Sequence, residues 1–507
     1  MNSISIRKIL QKGNRVDYQY EISGEWEKYF NLNVLFFAEY SKNIESIPQS
    51  IAVLPLVGNV IVLASLFDAV IYVDEIDRDF CNCVEKFIGG YMQLSPTVHF
   101  KQHGLIVANK IVTNDSLATE ENCMLFFSGG ADAWFSLKSH LHEKPALVSI
   151  WGADLASNNS NGWAQAYSGI CDVSERYGLE LITIHSSLRS FINETVLNQF
   201  SFRLVNDNWW SAFQHSIGMM CLAAPIAVHN FRKLYFASTY SAKDKKEWGS
   251  YVIASDPLID EHVRFAGARV IHDGYAFSRH DKIANLCEWA KDNSQKPYLR
   301  VCFSSPQGTN CGKCEKCVNT IMSILLSEGD PKDYGFSYDK EKLPYLFAAG
   351  VQEMAREEKY AFLSLYYDIH AAYRKKYTIE QVPDVLKVFY SMELETLADF
   401  LFVPCNKCVA NNDLKVYLES VIEAKKWLEG QRDAWQRRAE DLEIYVKNVV
   451  EAKSWLEGQR DAWQKRAEML ESYNSKNLRI YSVQQKMKFA WKKIKNRIVK
   501  CFISDPQ

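Results

Sequence analysis

Hydrophobic positions in the middle of the chain fall into short continuous runs separated by stretches of helical period. Met124 to Phe127 is predicted as a buried strand, Ala131 to His140 as a helix and Ala146 to Trp151 as a second strand. Trp163 to Tyr177 reads as a helix stopped by Gly178, and Leu179 to Ile184 as a third strand. A long helix, Trp210 to His229, is followed by strands at Lys233 to Ser238 and Ala268 to His272. Strands alternating with helices imply right-handed crossovers and a doubly wound parallel sheet. Ligands of such sheets bind beyond the carboxyl ends of the strands, which directs attention to the turns after Phe127, Trp151, Ser238 and His272.

The flanking regions have other textures. Residues 1–118 mix alternating stretches (Val16 to Ile22, Asn33 to Ala38), a short strand at Val70 to Val73 and an amphipathic stretch from Arg78 to Met92, the pattern of a small N-terminal α/β domain. The apolar run Ile51 to Phe67 is 17 residues long and interrupted by Pro55, Gly58, Asn59 and Ser65. That favours a buried helix over a membrane span, which takes about 20 residues with fewer interruptions. Residues 331–412 carry aromatic and charged residues at helical spacing. Beyond them Ala424 to Glu440 recurs as Ala452 to Glu468, placing Trp427 over Trp455 and Trp435 over Trp463 at a period of 28 residues. Four heptads make one such period, so each copy presents the same face. The expectation for 415–475 is a self-associating coiled coil, the alternative a solvated single helix.

Composition sharpens the picture at two points. The chain of 507 residues is 47% hydrophobic and carries a formal charge of -2, which excludes a chain that is basic overall in the manner of many nucleic-acid binders. Yet Ser472 to Lys500 holds nine Lys or Arg and no acid. Met487, Trp491, Ile494 and Ile498 form an apolar stripe there, so 476–507 is expected to rest on an anionic membrane surface; a solvated coiled-coil end and RNA binding are the alternatives, and nucleic acid is the less favoured. No export signal is read at the N-terminus, so the cytoplasm is the expected location, with the basic tail placing the chain peripheral on the inner face of the membrane. Of 13 cysteines, four crowd into sixteen residues, which suits a reduced compartment and a metal better than a disulfide framework.

Two motifs carry chemistry. Phe127-Ser128-Gly129-Gly130-Ala131-Asp132 runs from a strand through Ser-Gly-Gly into a helix. Glycines let a phosphate approach the backbone and the helix N-terminus supplies free amide donors, although a plain tight turn uses the same residues. Cys302, Cys311, Cys314 and Cys317 are spaced C-x8-C-x2-C-x2-C. Four thiolates make a closed tetrahedral zinc site with no position left for water, hence structural Zn²⁺. Cys405 and Cys408 form a second C-x2-C with nothing nearby to complete a site, and are read as ordinary thiols.

The Ser-Gly-Gly-x-Asp turn resembles the PP-loop of the N-type ATP pyrophosphatases, of adenine nucleotide α-hydrolase-like fold, and the element Asn310 to Cys317 is similar to that of 7-cyano-7-deazaguanine synthases. The resemblance covers about 122–330. It implies an adenylate-forming ligase that cleaves ATP between its α and β phosphates with Mg²⁺, activating a substrate carboxylate for a nitrogen nucleophile. Ser128, Gly129 and Gly130 would hold the pyrophosphate end, Asp132 would bind Mg²⁺ or orient the phosphates, and the backbone at Ile150, Trp151 and Gly152 would receive adenine. Ser128 and Asp132 are then the catalytic candidates. Ala133 stands where the family has a serine, so a binding-only scaffold is the competing expectation. The zinc element suggests a deazaguanine-like heterocycle as small-molecule substrate. The repeat with its basic tail is similar to extensions of bacterial surface-polysaccharide enzymes, suggesting a sugar acid instead. Ser238, Thr239, Asp256, Asp273, Arg279 and Lys282 follow predicted strands or lie in the loops between them, and are candidate substrate or phosphate contacts.

Overall fold

In a computed structural model the described residues are 1–114, 122–244, 253–292, 296–302, 304–356, 360–382 and 384–394, with parts of 453–468 and all of 487–493. The chain divides into two units, Met1–Asn411 and Asn412–Gln507.

Eleven strands of the first unit form one mixed sheet. In chain order they are β1 (Ser3–Lys12), β2 (Arg15–Ser23), β3 (Phe37–Tyr40), β4 (Val70–Asp77), β5 (Ile106–Val112), β6 (Cys123–Phe126), β7 (Ala146–Trp151), β8 (Leu181–Ser186), β9 (Lys233–Ala237), β10 (Arg264–Phe265) and β11 (Ala268–Asp273). Their spatial order is β10-β11-β9-β6-β7-β8-β3-β2-β1-β4-β5. The run from β11 to β8 is wholly parallel, as the alternation of strands and helices predicts. The expectation of a wholly parallel sheet is corrected by β10, an antiparallel edge, and by β8, β3, β2 and β1, which pair antiparallel in succession before β1, β4 and β5 pair parallel again. Hairpin-length connections such as Gly13–Asn14 between β1 and β2 permit only antiparallel pairing, which is where the mixed character originates. The strands of residues 1–118 thus continue the sheet of 122–330, joined by Ala38↔Ser186, Glu39↔His185 and Tyr40↔Ile184.

The apolar run after Ile51 is a helix pair, Gln49–Ala52 and Leu54–Leu66, and every residue from Leu54 to Ser65 is buried. It crosses the helix His215–Leu222 so closely that a Cβ on Gly58 would lie 2.3 Å from Cys221 Cβ. Asn59, buried at the crossing, donates to Pro55 O and Gly218 O and accepts from Gln214 Nε2 at 2.9 Å. Two of the residues that interrupt the apolar run, Gly58 and Asn59, are therefore the ones that let the two helices touch. The stretch Trp210–Val228 is long and apolar enough to span a bilayer, and 83% of its most apolar window is buried inside the protein. It is not one regular helix: a π segment, Trp210–Gln214, precedes His215–Leu222, and a further helix, Ala224–Asn230, carries Pro225 in its first turn.

Other boundaries shift for local reasons. Gly178, at φ 61°, ends the helix Ser160–Tyr177, and Leu179 N still donates to Ser174 O, so β8 starts two residues after the expected position. The region 331–412 contains three described helices, Leu343–Arg356, Tyr360–Lys376 and Asp384–Ser391. Cys405 and Cys408 lie outside the described residues.

In the second unit residues 456–466 are helical and almost wholly exposed, Trp463 to 53%. The first copy of the repeat, including Trp427 and Trp435, lies outside the described residues, as does Trp455. Residues 487–493 are a second helical stretch with Met487, Phe489 and Trp491 all exposed; Ile494 and Ile498 are not among the described residues.

Candidate functional site

Read outward from β6, the parallel strands run β6, β7, β8 to one side and β9, β11 to the other. This 3-2-1-4-5 arrangement reverses direction between β6 and β9, and such a reversal opens a crevice at the carboxyl ends of the two strands. A pocket lies there, walled by the Ser-Gly-Gly turn, the ends of β7 and β9, and the cysteine segment.

The turn is built to leave backbone exposed. Gly129 has φ 80°, a conformation that costs a side-chain-bearing residue strain. Gly130 caps the helix Ala131–His140 without any side-chain hydrogen bond to its first amides. Ser128 Oγ accepts from Gly130 N at 3.4 Å. The segment before Cys302 braces the turn from outside: Arg300 N donates to Gly129 O at 2.8 Å, Arg300 Nε to Ser128 O at 3.0 Å, and Trp134 Nε1 to Tyr298 O at 2.9 Å.

Asp132 faces two cations from the helix Arg279–Lys291. Arg279 Nη2 lies 3.0 Å from Asp132 Oδ2, and Lys282 Nζ 3.6 Å from Oδ1. Lys282 also donates to Ser238 O and to Ser238 Oγ at 2.9 Å. Burial pushes its ammonium below the usual lysine value, with Asp132 opposing. Arg279 is only 5% exposed, and among the described residues its Nε and Nη1 have no hydrogen-bond partner; Asp132 Oδ1 likewise accepts none there. Leaving such donors unmet in the interior costs about 1–3 kcal/mol each, more for a charged group.

The remaining candidates separate. Thr239 and Ile150 line the pocket, and Ser238 sits behind it, holding Lys282. Gly152, at φ 112°, presses against β8, where a Cβ would meet Ser186 O at 2.0 Å; Trp151 stacks on His185 with ring centroids 3.9 Å apart. Asp256 caps the short helix Pro257–Asp260 by accepting from Leu258 N at 2.9 Å and is not part of the pocket wall. Asp273 is bound to His140 Nε2 at 3.0 Å, and His140 in turn contacts Glu143 at 2.9 Å. That pair belongs to a charge network in which Glu143 also holds Tyr235 and Lys233.

Four ionisable pocket residues escaped the sequence reading: Arg300, Asp154, His215 and Lys316. Arg300 is the lone charge in the apolar stretch Tyr298 to Phe303, which was the available signal. Asp154, 44% exposed at the rim, lies 3.7 Å from Arg300. Desolvation would raise its carboxyl, but the charges of Arg300 and then Lys316 outweigh it and hold it below its ordinary value. His215 is pushed down to about 4, first by burial, with Asp154 opposing and Lys316 adding. It is therefore neutral near pH 7.

Beside the pocket, the sulfur atoms of Cys302, Cys311, Cys314 and Cys317 all lie within 4.8 Å of one another. Cys311–Cys317 and Cys314–Cys302 are 3.9 and 3.8 Å apart. Four sulfurs placed tetrahedrally about 2.3 Å from a zinc ion would be about 3.8 Å apart, so the donor set fits such an ion. Cys314 N points at Cys311 Sγ at 3.3 Å, and Gly312, at φ 73°, makes the turn between them. Asn310 fastens the loop, accepting from Val301 N at 3.0 Å and donating to Leu299 O and Gly335 O. The helix expected from Val318 opens at Glu315, with Cys314 as its cap. The cluster can hold a metal ion.

Comparison with known family models, curated proteins and solved structures finds no match to this chain. What the molecule displays on its own is an α/β scaffold with a polar pocket at its switch point and a four-cysteine metal cluster beside it.

Proposed function

We propose that the pocket binds ATP and that the protein is an adenylate-forming ligase, releasing AMP and pyrophosphate while activating a carboxylate for a nitrogen nucleophile. The observation that carries this reading is the pair of unpartnered Arg279 donors buried beside the uncapped Ser-Gly-Gly turn. A polyphosphate meets both needs at once, taking charge-assisted hydrogen bonds from the guanidinium and amides from the helix terminus. Ser128, Gly129 and Gly130 hold that end. The apolar stretch of the pocket from Val148 and Ile150 to Phe236 suits the base.

Asp132 is better suited to orienting Arg279 than to holding Mg²⁺, since its carboxylate already faces two side-chain cations. Mg²⁺, when bound, would offset the charge on departing pyrophosphate. His215, neutral at working pH, is available as an uncharged donor or acceptor near the nucleophile. The cluster of Cys302, Cys311, Cys314 and Cys317 holds structural Zn²⁺. The substrate is a small acid, a deazaguanine-type heterocycle or a surface-polysaccharide sugar acid. The C-terminal unit self-associates and brings the enzyme to an anionic membrane.

A second reading, a nucleotide-binding scaffold without turnover, is favoured by Ala133, which lines the pocket and offers no hydroxyl there. Incubation with ATP, Mg²⁺ and candidate acids should release pyrophosphate, and Asp132→Asn should lower the rate sharply. ADP and phosphate as the sole products would overturn the ligase; nucleotide binding with no turnover in wild type would establish the scaffold.

A further inference from the structure

The cysteine loop brings more than sulfur to the pocket. Cys302 lines it, and so does Lys316, which sits between Cys314 and Cys317. Lys313, three residues earlier in the same loop, is exposed, whereas Lys316 is half-buried in the first turn of the helix Glu315–Leu326. A cation in a first turn opposes the helix dipole, which favours an acid at that position. Local rules broken in this way are expected at functional positions rather than structural ones. The charge also reaches the pocket: Lys316 acts on both Asp154 and His215, after Arg300 in the first case and after burial and Asp154 in the second. Arg279 and Arg300 enter from other segments, and Arg300 is fixed by the Ser-Gly-Gly turn itself. Lys316 alone among these cations has its backbone set between two metal-binding cysteines.

We propose that Lys316 is an anion-binding residue of the pocket and that the ion held by Cys302, Cys311, Cys314 and Cys317 positions it, so that metal occupancy sets the affinity for polyphosphate. This deepens the nucleotide reading above and rests on it. The physical reason is preorganisation. A lysine on a loose loop must be ordered when the anion arrives, and a closed thiolate site does that ordering beforehand. The ligand chemistry is a di- or triphosphate, because only a multiply charged oxyanion engages Arg279 and Lys316 together.

Titration calorimetry of inorganic pyrophosphate and of ATP into the full chain tests this, with metal content measured on every sample. Lys316→Ala should keep one thiolate-bound ion per chain and its melting temperature, yet bind pyrophosphate about tenfold or more weakly, with a shallower salt dependence. Lys316→Arg should recover part of the affinity. Chelation should weaken wild type by a similar factor and add little to Lys316→Ala, because both changes remove one contact. Metal-loaded Lys316→Ala binding like wild type would overturn the proposal, even if chelation unfolds the chain. So would chelation that weakens Lys316→Ala as much as it weakens wild type. Metal-loaded wild type that binds neither pyrophosphate nor ATP would overturn the nucleotide reading itself, and this inference with it.

Discussion

The sheet contains two strands, β4 and β6, that run in opposite directions and each deliver an aspartate to the start of a helix, and they use it oppositely. At the end of β4, Asp77 caps the helix Arg78–Leu94, accepting from Phe80 N at 3.0 Å, from Ala266 N at 3.1 Å and from Asn114 Nδ2 at 2.8 Å. After β6 the cap is Gly130, which has no side chain, and the aspartate lies inside the helix at position 132, where among the described residues its Oδ1 accepts no hydrogen bond, though Lys282 lies 3.6 Å away, and two donors of Arg279 in front of it are unmet. One turn is closed by its own residues. The other is left for something else to close. A strand-to-helix turn becomes a site, on this comparison, when the capping side chain is withheld and the polar groups around it stay buried but unmet.

The largest expected effect concerns the cluster that braces the open turn. Chelation or Cys314→Ser should release the ion and cost several kcal/mol, since metal binding and folding are coupled. Amide exchange should rise across 296–335 while the helix Leu54–Leu66 stays protected; equal loss in both would erase the distinction between the two halves. Next, Asp77→Ala should cost about 3 kcal/mol, a cap and two further hydrogen bonds, with pyrophosphate affinity unchanged. Arg279→Met is its mirror image. It should lower that affinity at least tenfold, about 1.4 kcal/mol, at a smaller cost to stability than Asp77→Ala, because Lys282 stays beside Asp132 when the guanidinium and its unmet donors are removed. Denaturant titration beside calorimetry separates the two.

A smaller effect is expected from His215. Its folded value is lowered to about 4 by burial, below the ordinary histidine value of 6.5, so the unfolded chain takes the proton first. The stability it contributes is full above pH about 6.5 and is lost as pH falls toward about 4, about 2 kcal/mol of it by about pH 5. His215→Asn should flatten that part of the pH–stability curve, and an unchanged slope would place the histidine in water. Smallest is Gly129→Ala, about 1 kcal/mol from the positive φ alone, since the added carbon would meet Arg300 Cβ at an ordinary 3.5 Å.

Much of this was legible beforehand for a physical reason. The strands β6, β7 and β9 are nearly continuous apolar runs because both of their faces are largely covered, and such runs announce themselves. The four cysteines were legible because their spacing is itself the constraint. By contrast β1 and β5 carry polar residues on exposed faces and were not read as strands. The helix Glu194–Val205 buries only Leu197 and Ser201, too little to leave a period. Asp256 and Thr239 both follow from loop position in the sequence, yet one caps a helix and the other lines the pocket. Nothing local distinguishes them, since the difference arises from which loop the crevice opens onto. Lys316 was hidden by its own motif, in which the cysteines claim attention and the lysine between them reads as a solvated charge.

The antiparallel seam between β3 and β8 has a practical consequence for dissecting the molecule. Three residue pairs cover the β8 edge, and Tyr40 at that seam reaches across to donate to Leu222 O. A fragment begun near residue 122 would expose this row of backbone groups together with the apolar face that receives the helix Leu54–Leu66. An unpaired edge beside an uncovered apolar surface is a template for self-assembly. The pocket-bearing segment is therefore expected to come out of cells as aggregate when expressed alone, and to become soluble when residues 1–114 are supplied as a separate chain.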